Sequence, residues 1–97
     1  MSVVVVGGGL GGLAVAHRLL RDDPAREVTL LEASERLGGL VSTECTGDFV
    51  IERGPESMIT TKPAGVALAN QLGLGPRLLR TRSGASGAQV VTRGRLE

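Results

Sequence analysis

The sequence predicts an α/β fold that opens on a strand, a helix and a second, parallel strand. Three observations predict it. Val3–Val6 is an unbroken β-branched run that ends at glycine, the pattern of a strand covered on both faces in a parallel sheet. From Gly11 to Arg21 the apolar residues Leu13, Ala16, Leu19 and Leu20 recur at helical spacing, and Asp22, Asp23 and Pro24 stop that helix. Glu27–Glu32 (EVTLLE) then reads as a second strand, apolar through its middle. A strand, helix and strand within about thirty residues form a βαβ unit, right-handed by the usual rule.

The remaining elements follow in order. Residues 33–40 form a glycine-containing loop, and Val41–Thr46 with Phe49–Glu52 read as a hairpin turning at Gly47-Asp48. Gly54-Pro55 ends it. Pro63 suits the first turn of a helix that runs to Leu72 and is capped by Gly73. A shorter helical stretch is expected after Pro76, a loop over 83–87, and a strand over Gln89–Thr92.

Composition narrows the function classes. With 97 residues and a single aromatic side chain, Phe49, the core must come from Val, Leu, Ile and Ala, which bury less area than aromatics and leave a domain of this size marginal. Eleven basic against ten acidic residues leave a net charge of +1, read as a surface with interspersed charge and no electrostatic footprint for nucleic acid. The lone Cys45 is expected to act as a small core hydrophobe, and no metal-ligating cluster is legible. Residues 2–16 are uncharged but broken by five glycines and lack a basic start. They match neither a signal peptide nor a spanning helix, so the default expectation is a cytoplasmic protein.

The fifteen glycines cluster in loops. Gly7, Gly9 and Gly12 spell G-x-G-x-x-G between the first strand and its helix, and an acidic residue, Glu32, closes the next strand. Each position has a physical reason. Gly7 allows the tight turn, Gly9 lets backbone approach a pyrophosphate, and Gly12 lets the helix pack on the sheet. The diphosphate then faces unpaired N–H groups at the positive end of a helix dipole. That dipole contributes ~0.3–1 kcal/mol when exposed, and each hydrogen bond to the charged group roughly 1.5–3 kcal/mol. Glu32 is expected to accept hydrogen bonds from the adenosine ribose and to disfavour a 2′-phosphate, hence NADP. Competing readings are a plain packing turn for the glycines and a solvated strand end for Glu32. The fold class is thus a Rossmann-like βαβ unit, an incomplete FAD/NAD(P)-binding domain, followed by a hairpin and helices.

The fingerprint does not separate FAD from NAD, and the following segment does. Glu35-Arg36-Leu37-Gly38-Gly39 interrupts the place where a plain NAD domain enters its second crossover helix. Arg36 is placed to meet phosphate or adenine, because its fork suits phosphate oxygens, and Gly38-Gly39 bring backbone against the same ligand.

Together, Gly7–Leu13, Leu30-Leu31-Glu32-Ala33-Ser34 and Arg36-x-Gly38-Gly39 resemble the FAD-binding amine oxidase superfamily. Phe49–Ser57 (FVIERGPES), Thr61-Lys62-Pro63 and Leu72–Leu78 resemble its protoporphyrinogen/coproporphyrinogen oxidase branch, in which a Gly-Pro pair approaches the flavin. Two departures stand out. Leu40 replaces a usual Arg or Lys, and Met58 a residue that is often aromatic, with Met58 expected as a core gap-filler.

The resemblance implies an enzyme that passes hydrides from a porphyrinogen to FAD in three two-electron steps, with oxygen as final acceptor, in heme biosynthesis. The expected cofactor-binding residues are Gly7, Gly9, Leu10, Gly11, Gly12, Glu32, Ala33, Arg36, Gly38, Gly39 and Leu40, with Gly54 and Pro55 near the flavin ring. No catalytic acid, base or nucleophile is expected among these residues, and His17 is read as a half-buried or surface helix residue. Residues 1–80 are expected to belong to the FAD-binding domain and 81–97 to cross into a substrate domain, Gly94-Arg95-Leu96 included. The rest of that domain, the porphyrinogen site and any peripheral membrane contact are expected in further chain, without which these residues are inactive. Alternatives are another amine oxidase or carotenoid desaturase, a non-catalytic dinucleotide-binding module, and an NAD-dependent dehydrogenase.

Overall fold

The structure is a computed structural model that describes residues 1–84 and 87–97. It divides into two compact units, Met1–Ser57 and Met58–Glu97. In the first, β1 (Ser2–Val6) leads through the glycine run into α1 (Leu10–Asp22), and β2 (Glu27–Leu31) returns beside β1. The two strands pair in parallel from Ser2↔Glu27 to Val6↔Leu31. This register matters because it brings the residues just past both strand ends, Gly7 and Glu32, side by side. The Gly7 amide donates to the Leu31 carbonyl at 2.7 Å and continues the ladder one residue beyond β1.

α1 ends where the acidic pair was expected to end it. The Asp23 amide still donates to the Leu19 carbonyl, while the Asp23 carboxylate accepts from the Ala25 amide at 3.2 Å and turns the chain back toward β2. Alternate β1 side chains face α1, so Val5 is buried and Val3 half-buried. The other face is bare among the described residues, with Val4 57% and Val6 82% exposed. This corrects the expectation of a strand covered on both faces. One helix covers one face of a two-stranded sheet, and no second layer lies over the other in this unit.

The hairpin pairs β3 (Thr43–Thr46) with β4 (Phe49–Glu52) in antiparallel register, Thr46↔Phe49 closing on the two-residue turn Gly47-Asp48. Gly47 takes φ +58°, which the turn requires and glycine supplies without strain. Thr43 donates to Glu52 across the pair at 2.7 Å, and Arg53 meets Glu44 at 3.2 Å. Every residue of both strands is exposed, so Cys45 lies at the surface and not in a core, as nothing in this unit packs on either face of the hairpin.

In the second unit, α2 (Ala64–Gln71) follows Pro63, and Gly73 at φ +74° closes its end. Only the 3₁₀ turn Gly75–Arg77 stands where a further helical stretch was expected. Met58 is half-exposed, its sulfur packed over Gly65, and not a core filler. The strand expected at Gln89–Thr92 narrows to β5 (Val91–Thr92), hairpinned to β6 (Arg95–Leu96), with Val90 and Glu97 exchanging both backbone hydrogen bonds. Of the loop expected over 83–87, residues 85 and 86 lie outside the described residues.

Val5 and Ala69 are the buried apolar side chains among the described residues, one in each unit. Charge divides unevenly between the two units. The first unit carries five basic and nine acidic residues, the second six basic and one acidic. Among the described residues no helix is long and apolar enough to cross a membrane.

Candidate dinucleotide site

The site is built at the ends of β1 and β2. Gly7 sits at φ +101°, a conformation that side chains resist, and turns the chain sharply out of β1. A Cβ on Gly12 would run into the Gly7 carbonyl group, with Val5 beside it at ordinary contact distance. The first turn of α1 therefore rests directly on the turn below it, backbone on backbone, and any larger residue at 12 pushes the helix away. Gly11 faces the other way, with open space where its Cβ would be.

The helix start has no anionic group of its own. No acidic side chain lies in its first turn, and its cap residue, Gly9, has no side chain to bond the orphan amides. The amides of Gly9, Gly11 and Gly12 have no hydrogen-bond partner among the described residues. An anion placed there would meet N–H groups aimed outward and no side chain in the way, so the residues fit a diphosphate.

Glu32 reaches back into this turn. One carboxylate oxygen accepts from the Gly8 amide at 2.8 Å and the other from the Ser34 amide at 2.7 Å. Its pKa is lowered from 4.5 to about 2 by the Ser34 hydroxyl and amide, then the Gly8 amide, with Arg36 adding a weaker pull. The Ser34 hydroxyl directs its own proton to the Arg36 carbonyl at 2.8 Å, so we assign the lasting part to the two amides. The group is ionised at neutral pH. A carboxylate offers about four acceptor positions, and two remain for a ligand. Below it, Val6, Gly7, Leu31, Glu32 and Ala33 line an open cleft of about 350 Å³ with largely apolar walls.

The loop after β2 folds over the glycine run. The Gly38 amide donates to the Gly8 carbonyl at 2.8 Å, and Gly9 and Gly38 form an isolated parallel bridge. Gly38 and Gly39 adopt φ +111° and +59°, and a Cβ on Gly39 would stand 3.0 Å from the Gly9 Cα. Arg36 is exposed and donates to the carbonyls of Leu37, Val41 and Gly39, the last at 2.6 Å. The Arg53 amide bonds the Ser42 carbonyl at 2.8 Å and extends the hairpin ladder, so Gly54 falls beside Leu40, where a Cβ would strike the Leu40 carbonyl. The Leu40 side chain points to solvent, and Pro55 is exposed.

Of the residues singled out in the sequence, Gly7, Gly9, Leu10, Gly11, Gly12, Glu32, Ala33, Gly38 and Gly39 thus meet around one turn. Leu40, Gly54 and Pro55 form the adjoining edge. Sequence reasoning missed Gly8, Ser34 and Leu37. Gly8 is buried, holds both Glu32 and Gly38, and has Leu37 and Leu30 where a Cβ would go. An unbroken run of three glycines was the available signal, because the fingerprint itself leaves position 8 free.

Comparison with known proteins decides the family. The model of flavin containing amine oxidoreductases matches residues 10–97. The chain belongs to the flavin containing amine oxidoreductase family. Within that family it is 38% identical over 88 residues to coproporphyrinogen III oxidase of Bacillus subtilis, covering 87% of this chain and 19% of that protein. It is 37% identical over 102 residues to protoporphyrinogen oxidase of Schizosaccharomyces pombe, covering 92% and 20%. A crystal structure from Exiguobacterium sp. 255-15, whose name proposes a protoporphyrinogen oxidase, superposes with TM-score 0.81 at 43% identity, over 98% of this chain and 21% of that one. The chain spans about a fifth of the length of these relatives. The family's flavin agrees with the cofactor expected from the break at Gly38-Gly39.

Proposed function

We propose that this chain forms the FAD-binding start of a porphyrinogen oxidase. The observation that carries the reading is the open first turn of α1, seated on Gly7 and flanked by the Glu32 carboxylate. The names of the similar proteins support the substrate class. FAD, when bound, supplies the hydride-accepting chemistry, with oxygen as the final acceptor. This chain's residues hold and orient. The Gly9, Leu10, Gly11 and Gly12 segment receives the diphosphate, and Glu32 receives ribose hydroxyls on its two free acceptor positions. Ala33 and the cleft below it take the adenosine. Arg36, Gly38 and Gly39 close the turn from above, and Leu40, Gly54 and Pro55 extend toward the flavin ring. Residues 1–80 belong to the cofactor domain in this reading, and 81–97 lead into the substrate domain.

The test is the full-length protein. It should purify with a flavin absorbance band or regain one on addition of FAD, and it should convert protoporphyrinogen IX or coproporphyrinogen III to the fluorescent porphyrin with consumption of oxygen. The faster of the two names the substrate. Tighter binding of NAD than of FAD, or no porphyrin from either substrate, refutes the reading.

A further inference from the structure

Arg36 does something that a cofactor ligand need not do. Its guanidinium donates to three main-chain carbonyls of the loop that carries it, Leu37 and Val41 at 3.2 Å each and Gly39 at 2.6 Å. These carbonyls surround the two glycines at φ +111° and +59°. Such a loop has little reason to keep that shape alone, because glycine loses more conformational freedom on ordering than any other residue. The shape is nevertheless what the site needs. With Gly38 so turned its amide reaches the Gly8 carbonyl, and Gly39 lies against the Gly9 Cα. The Gly8 amide on the far side of the same peptide run is held by Glu32.

From this geometry we infer that Arg36 is a positioning residue, a clamp that holds the Gly38-Gly39 loop against the phosphate turn before any cofactor arrives. It rests on the FAD reading above and deepens it. Its effect on binding is through preorganisation of the turn, since three of its five N–H donors are already engaged. A fork reaches three carbonyls at once because its donors diverge in a plane. A lysine ammonium, a single point on a flexible stem, cannot.

The experiment compares wild type, Arg36→Lys and Arg36→Ala in the full-length protein, with hydrogen exchange of the apo form and FAD titration. In both variants the peptide containing the Gly38 and Val41 amides should exchange about tenfold faster, while the β3 peptide Thr43–Thr46 exchanges as before and excludes general unfolding. FAD should bind about tenfold more weakly in both, lysine giving no rescue, and with an unchanged salt dependence. The inference is overturned if apo exchange is unaffected, or if Arg36→Lys restores FAD affinity. Unaffected exchange removes the clamp, and rescue by lysine makes Arg36 a direct cationic ligand of the diphosphate. Wild-type protein that binds no FAD sinks the cofactor reading instead, and the two failures are separable because exchange is read without cofactor.

Discussion

Replacing Gly12 by alanine sets a methyl group against the Gly7 carbonyl oxygen, the tightest approach in the glycine turn of the first unit. Neither partner can yield by rotating a side chain, since both are main chain. The start of α1 must lift, or the turn after β1 must open. Overpacking of this kind costs about 1–3 kcal/mol in stability. The larger effect falls on the cofactor, because the Gly11 and Gly12 amides move with the helix. A hydrogen bond to a charged group is worth roughly 1.5–3 kcal/mol, so losing one aligned amide weakens FAD by about tenfold to a hundredfold. The assay is fluorescence titration of FAD into apo protein, with urea unfolding alongside. Gly11→Ala is the matched control for the apo fold, because its methyl group enters open space on the same helical turn. Its stability should hold or rise by ~0.5–1 kcal/mol on helix propensity. A Gly12→Ala protein that binds FAD within about threefold of wild type and unfolds at the same urea concentration refutes the seated-helix account.

Glu32→Gln keeps the shape but removes the charge that its two amide donors favour. The lowered folded pKa means that the wild-type contribution is complete above pH 4.5 and fades as pH falls toward about 2. The wild type should therefore lose more melting temperature than the Gln variant across that window, and equal losses would show the carboxylate unpaired. Gly54→Ala drives a methyl group into the Leu40 carbonyl and should cost about 1–3 kcal/mol in urea unfolding. Arg53→Ala breaks a mostly exposed ion pair with Glu44 and should change stability by less than about 1 kcal/mol, a check that the hairpin's charges matter little.

Much of the site was legible because its rules are steric and local. A β-branched run that stops at glycine, a helix opening inside the glycines and an acidic residue ending the next strand have few other solutions, and β1, α1 and β2 formed where those signals lay. The hairpin turn at Gly47-Asp48 was likewise readable from residue type, and Gly47 takes the positive φ that such a turn uses. What failed depended on layers. Val4, Val6 and Cys45 were read as core because their residue types suit one, yet burial is decided by what else packs there, and in this unit nothing does. The partners of Arg36 and Glu32 were not readable either. A guanidinium or a carboxylate suits phosphate or sugar equally as it suits nearby carbonyls or amides, and only the folded loop shows the latter at hand.

At Gly12 on Gly7 and at Gly54 on Leu40 a side chain would meet main chain and not another side chain, and Gly39 lies close on Gly9 in the same way. Side chains can absorb a small shift by changing rotamer, whereas peptide planes in contact have no such slack. The turn at the head of α1 is therefore fixed in shape by its own main chain, and a substitution at 12 or 54 is felt as a displaced backbone and not as a changed rotamer.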